Sequence, residues 1–154
     1  MKKSTLFICL LTAAALLAGC SGKKKDISVN ADDLASKLAS ETVTSGSLTK
    51  AAADPQTVYF FDENSYESGV AYKSDGSIAC EVAVIACKDA SGTEDAEKKF
   101  KAHVESQIEL YESYNPEEVE KLKNAVIKSA GKYSVLCVCD DSGKAESILK
   151  EAGF

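Results

Sequence analysis

The chain has 154 residues, 45% hydrophobic and 27% charged, with 18 basic and 24 acidic side chains and a formal net charge of −6. That length supports one domain around one core. Every basic residue is a lysine, and an acidic chain without a guanidinium fork is poorly suited to nucleic-acid phosphates, which speaks against a nucleic-acid partner.

Lys2 and Lys3 open the chain, and an apolar, uncharged run from Thr5 to Leu17 follows. The run is shorter than the roughly 20 residues a spanning helix needs and fits a signal h-region. Leu17-Ala18-Gly19-Cys20 then reads as a lipobox. Small residues precede the scissile bond, and the Cys20 thiol accepts the diacylglyceryl group. The expectation is a signal peptide over residues 1–19, a lipidated tether over residues 20–29 and one domain over residues 30–154. Two or three acyl chains, palmitate among them, anchor stably. The expected location is the extracytoplasmic face of the cell membrane. Removing Lys2 and Lys3 leaves the mature chain more acidic still, so it has little other reason to stay at a membrane.

Asn30 caps a helix with apolar positions Ala31, Leu34, Ala35 and Leu38, which fades near Val43. Leu48 to Gln56 looks irregular. Thr57 to Phe61, β-branched and aromatic, reads as a strand. Ser68 to Lys73 reads as a weaker one, joined through Ser74-Asp75-Gly76 to Ile78 to Cys87 as a hairpin. The near-continuous apolar run of that last segment predicts a central strand covered on both faces. Thr93 caps a long helix with the stripe Ala96, Phe100, Val104, Ile108 and Tyr111. Asn115-Pro116-Glu117-Glu118 starts a second helix, with Asn115 as cap and Glu118 completing a capping box, running to Gly131. Tyr133 to Cys139 is a buried strand, and Asp140-Asp141-Ser142 caps a last helix. The fold class is α+β: a small single domain with a mixed or antiparallel sheet of about four strands packed with about four helices.

Tyr114-Asn115-Pro116-Glu117, then Leu122, Asn124-Ala125-Val126, and Gly131-Lys132-Tyr133 entering an apolar strand resemble the lipoprotein family called domain of unknown function 4358. An Asp-Leu-Ala helix near residue 33 and an apolar strand carrying an acid, here Glu81, resemble it too. The likeness runs over about residues 30 to 152. It implies an envelope lipoprotein, mainly of anaerobic Gram-positive bacteria, with no assigned activity. The family pairs an Arg with a Gln four residues later in the long helix. Here the pair is His103 and Gln107, so a role that needs a fixed positive charge does not carry over.

Four cysteines remain in the domain. Cys137 and Cys139 share a strand face, whereas Cys80 and Cys87 point to opposite faces. The spacing matches no usual zinc pattern. Core thiols and a cross-strand disulfide both stand as readings, and no metal or cofactor is expected. Glu81 sits in a buried-looking strand, either as an outward acid paired with Lys near the strand end or as a functional carboxylate. His103, Gln107, Tyr111 and Tyr114 recur at helical spacing and read either as a solvated helix face with hydrogen-bonded tyrosines, the leading reading, or as a candidate ligand groove with Glu81. His103 is the single histidine and no G-x-S-x-G elbow occurs. Asn124 reads as a structural amide bonded to nearby backbone.

The leading expectation is a non-enzymatic binding or accessory module for an envelope protein partner or a small ligand. The alternatives are a cell-envelope hydrolase using Glu81 and His103, or a thiol redox protein. The anchor itself is directly testable. Cys20→Ala is expected to accumulate as unprocessed precursor and lose metabolic palmitate label; a processed, water-soluble product would refute the assignment.

Overall fold

The computed structural model describes residues 27–154. The signal over residues 1–19, Cys20 and most of the tether over residues 20–29 lie outside the described residues. Helix α1 (Ala31–Thr42) begins where the Asn30 side-chain oxygen accepts from the amides of Asp32 and Asp33, and it buries Leu34, Ala35 and Leu38. The short strand β1 (Thr49–Lys50) and helix α2 (Pro55–Tyr59) follow, then strands β2 (Tyr66–Lys73) and β3 (Glu81–Cys87). The long helix α3 (Thr93–Tyr114), the one-turn α4 (Val119–Lys123), strands β4 (Val126–Ala130) and β5 (Tyr133–Val138), and helix α5 (Ser142–Ala152) complete the domain. The Asp141 carboxylate caps α5 by accepting from Lys144 N, and Gly153 ends it in the left-handed conformation.

One sheet runs β1-β2-β3-β5-β4, with every pairing antiparallel. The central strand β3 is buried at all seven positions, because helices cover both faces as its apolar run predicts. Val82 and Val84 point into a core shared with α1 and α5. Ala83, Ile85 and Cys87 point into a second core with Phe100, Val104, Leu122 and the aromatic pair Tyr59 and Phe61. The period of two along β3 therefore sends Glu81 toward the α2–α3 layer, where no apolar side chain can satisfy it.

The architecture is the expected α+β domain, with five strands and five helices among the described residues rather than four of each. Several local readings change, the first being that Leu48 to Gln56 contains the short strand β1 and the start of α2. Thr57 to Phe61 is mostly helix, because the Asp54 carboxylate caps Gln56 N and Pro55 occupies the first helical position. Two strong local signals outweigh the β-preference of Thr57 and Val58. The helix expected from Asn115 to Gly131 ends at Lys123, and Val126–Ala130 becomes an outer strand of the β4–β5 hairpin. Gly131, at φ 53°, makes that tight turn. No capping box forms there, since Glu118 accepts instead from Ala79 N and Lys121 Nζ. Thr93 is the first residue of α3 rather than its cap, with its hydroxyl donating to Ala90 O.

A polar clamp ties one end of the sheet. The Asp140 carboxylate accepts from Thr44 N at 2.6 Å, Ser45 N at 2.8 Å and Lys121 Nζ at 2.9 Å. Lys121 also reaches Glu118, whose second oxygen holds the β2–β3 loop at Ala79. Burial disfavours the charge on Asp140, but the Ser45 and Thr44 amides and the Lys121 ammonium outweigh it and hold the carboxyl well below its ordinary range. A carboxylate whose folded-state pKa is depressed stabilises the fold above its unfolded pKa, and that contribution is lost as pH falls through the folded value. Asp140→Asn is expected to cost about 2 kcal/mol in urea denaturation at pH 7. It should also flatten the acid limb of the stability profile; an unchanged midpoint and limb would refute the clamp.

Candidate functional site

Glu81 organises the α2–α3 side. It is the first residue of β3 and 3% exposed. Its carboxylate would be prohibitive there without partners, and three are supplied by three elements. The α2 residue Tyr59 donates its hydroxyl to Oε2 at 3.0 Å. Lys73, directly opposite in the β2–β3 register, places Nζ 3.1 Å from Oε2. His103 of α3 places Nε2 2.6 Å from Oε1. Burial pushes the Glu81 pKa up, but the His103 hydrogen bond and the charges of His103 and Lys73 more than offset it, so the carboxyl lies below its ordinary value. Burial, then the Glu81 charge, pushes the Tyr59 phenol well above its own. The Tyr59 ring also meets the His103 imidazole edge-on at 4.8 Å and so fixes its plane.

Beside this network lies an open groove of about 380 Å³ between the β2–β3 loop and the C-terminal half of α3. Glu81, Gln107, Tyr111 and Tyr114 line it as expected, together with Lys73 and Leu110. Tyr111 is fixed as a wall by donating its hydroxyl to Ile78 O at 2.8 Å. Leu110 and Tyr114, by contrast, are 56% and 67% exposed and form an apolar rim. His103 is the member of the expected set that does not line this groove. It faces a second cavity of about 290 Å³ on the other side of the ion pair.

Sequence reasoning placed the acid and the helix face and missed Tyr59, Lys73 and Phe60. Lys73 was legible in part, because a hairpin centred on Ser74-Asp75-Gly76 puts it near Glu81. The carboxylate was expected to point outward if paired with Lys; it is at the strand end and paired, yet buried. Phe60 carries no sequence signal. It is 80% exposed and left-handed at φ 58°, because it terminates α2 with its amide on Gln56 O. That conformation costs a bulky residue about 1 kcal/mol.

All four domain cysteines are buried. Cys80, Cys137 and Cys139 lie in the core under α1 and α5, and Cys87 lies on the opposite face. Cys80, Cys137 and Cys139 form no disulfide. The adjacent Cys137 and Cys139 thiols interact, which lowers the pKa of Cys139 and raises that of Cys137. Asn124 closes α4, its side-chain amide donating to Glu120 O at 2.9 Å, which is the expected structural role. Among the described residues, no group of three or more His, Cys, Asp or Glu side chains is placed to hold a metal ion. No described helix is long and apolar enough to cross a membrane.

A family model described as Domain of unknown function (DUF4358) matches residues 43–139. The chain belongs to this DUF4358 family. The matched segment contains the whole sheet and helices α2 to α4, hence every residue of the Glu81 network and of both cavities; α1 and α5 flank it. No curated protein and no solved structure matches the chain.

Two stability predictions follow from the network and from Phe60. Glu81→Ala leaves the Tyr59 hydroxyl and His103 Nε2 without their acceptor in a largely buried site and is expected to cost about 2–3 kcal/mol in chemical denaturation. Phe60→Asn accepts the left-handed conformation and is expected to raise stability by up to about 1 kcal/mol. A loss in Phe60→Asn would show that the Phe60 ring packs productively despite its exposure.

Proposed function

We propose that this chain is a non-enzymatic binding or accessory module, lipid-anchored through Cys20 on the extracytoplasmic face of the cell membrane. Its contact surface is the groove between the β2–β3 loop and α3. The observation that carries this reading is the convergence of Glu81, Lys73, Gln107, Tyr111 and Tyr114 on one concave site, apolar at the rim and polar at the floor, as binding pockets are. The ion pair supports it as scaffold: both Glu81 oxygens are engaged, so the carboxylate is spent on holding α2, β2 and α3 in register.

A hydrolase remains the second reading, favoured by the 2.6 Å contact between Glu81 and His103, since a carboxylate on one imidazole nitrogen orients the other as a general base. Two observations weigh against it. Glu81 is also neutralised by Lys73, and no hydroxyl is hydrogen-bonded to His103 among the described residues. The thiol redox reading is disfavoured by burial of all four domain cysteines.

A photo-reactive phenylalanine analogue in place of Tyr114, in the anchored protein on intact cells, is expected to capture a discrete envelope component. The same analogue in place of Lys150, on the opposite layer, should not capture it. Identical capture from both positions, or none from the groove, would sink the proposal. Hydrolysis of simple ester probes by the purified chain, abolished in His103→Gln, would instead establish the enzyme.

A further inference from the structure

The second cavity is independent of the groove and has its own chemistry. It is walled by Val58, Tyr59, Phe60, Lys99, His103 and Ser106. Lys99, His103 and Ser106 stand four and three residues apart along α3, so their polar ends share one helical face. Phe60 and Val58 supply an apolar wall opposite. We propose that this cavity binds a small organic carboxylate with an aromatic or compact apolar body.

Three observations carry the assignment. The first is a ring nitrogen with no protein partner, one that accepts in the neutral imidazole and donates only in the imidazolium. His103 Nε2 is taken by Glu81, the Tyr59 ring fixes the imidazole plane, and Nδ1 has no hydrogen-bond partner among the described residues. The imidazole is thus held with one nitrogen committed and the other presented. When protonated it would bridge the Glu81 carboxylate and a ligand carboxylate.

The second is charge. The chain is acidic overall, yet the charges around this cavity balance as two lysine–carboxylate pairs, one of them loose. The charged groups facing His103 are Glu81 and, behind it, Lys73, which already neutralises that carboxylate at 3.1 Å. Lys99 adds an ammonium whose acidic neighbour, Asp95, lies at 3.9 Å and is half exposed. One Lys99 N–H is used on Phe60 O at 2.6 Å, which leaves donors for a second acceptor. An anion entering here meets an ammonium that its own carboxylate holds only at 3.9 Å and that has donors to spare.

The third is Phe60. A side chain that is both left-handed at φ 58° and 80% exposed carries two unfavourable features that Gly or Asn would remove. The Lys99 ammonium on its carbonyl holds that backbone in place. The ring therefore stands over the cavity mouth beside the cationic groups, where it would cover the apolar body of a ligand whose carboxylate reaches Lys99, His103 and Ser106. A volume of about 290 Å³ suits a single-ring acid and not a polymer.

His103 is the single histidine, so its ring nitrogens give unambiguous NMR signals. The test is titration of the 15N-labelled full chain in detergent with phenylacetate, with phenylacetamide as the neutral isostere and acetate as the anion without a ring. Phenylacetate is expected to move the Nδ1 resonance saturably, and the other two to act at least about tenfold more weakly. Lys99→Gln, which leaves the reporter intact, should weaken the phenylacetate midpoint about fivefold or more, and Phe60→Ala should narrow its advantage over acetate. Equal shifts with phenylacetamide, an unchanged midpoint in Lys99→Gln, or no saturable shift at all would overturn the assignment. None of these outcomes depends on the groove containing Tyr114.

Discussion

The domain is arranged around a carboxylate that it had to solvate with its own side chains. Glu81 begins the most buried strand, between two apolar cores, where an unpartnered charge would be strongly unfavourable. Its three partners come from α2, β2 and α3, and each is anchored in its own element. Satisfying one acid therefore fixes the distance of α3 from the sheet and the placement of α2 against it. The interaction lies at a sheet end, where α3 has room to stand off. The open spaces on either side of the Glu81–His103 contact are the two cavities.

A second polar knot works on the β2–β3 connection two residues before Glu81. Asp140, Lys121 and Glu118 bind the Thr44–Ser45 backbone and the Ala79 amide, and so pin the β2–β3 connection from the α4 side. The groove is held from both directions: by Lys73 and Glu81 below, and by the Glu118 contact to Ala79 behind. That rigidity is what a preorganised binding surface requires. The thiols of Cys137 and Cys139 lie under α1 and α5 in the core opposite α3, where they fill space as small apolar groups do, and Cys80 of the same core also borders the groove.

The two cavities differ in character although they share one helix. The groove beside Tyr111 and Tyr114 is broad and rimmed by exposed apolar groups, which suits a partner surface or an extended ligand. The cavity beside Phe60 is small, lined by Lys99, His103 and Ser106 on one wall and by apolar groups on the other. His103 separates them, and its contact with Glu81 belongs to both. DUF4358 membership covers all of these residues, so the sheet and the α3 layer, rather than the flanking α1 and α5, hold the surface on which function is to be sought.

Much was written locally. The caps at Asn30 and Asp141, the apolar stripe of α3 and the doubly buried β3 all follow from short-range patterns, because helix periodicity, strand alternation and capping act within a few residues. Gln107, Tyr111 and Tyr114 were readable as neighbours on one face of α3 for the same reason. What only the tertiary structure decided depended on partners distant in sequence. Val119 to Ala130 has a helical apolar pattern, yet its second half pairs with β5, since a hairpin across Gly131 satisfies backbone groups that a longer helix would leave facing the sheet edge. Glu81 could not be read as buried until Lys73, Tyr59 and His103 were seen to meet it. His103 turned to a separate cavity because that carboxylate captured one of its two nitrogens, a choice that no spacing along the helix encodes.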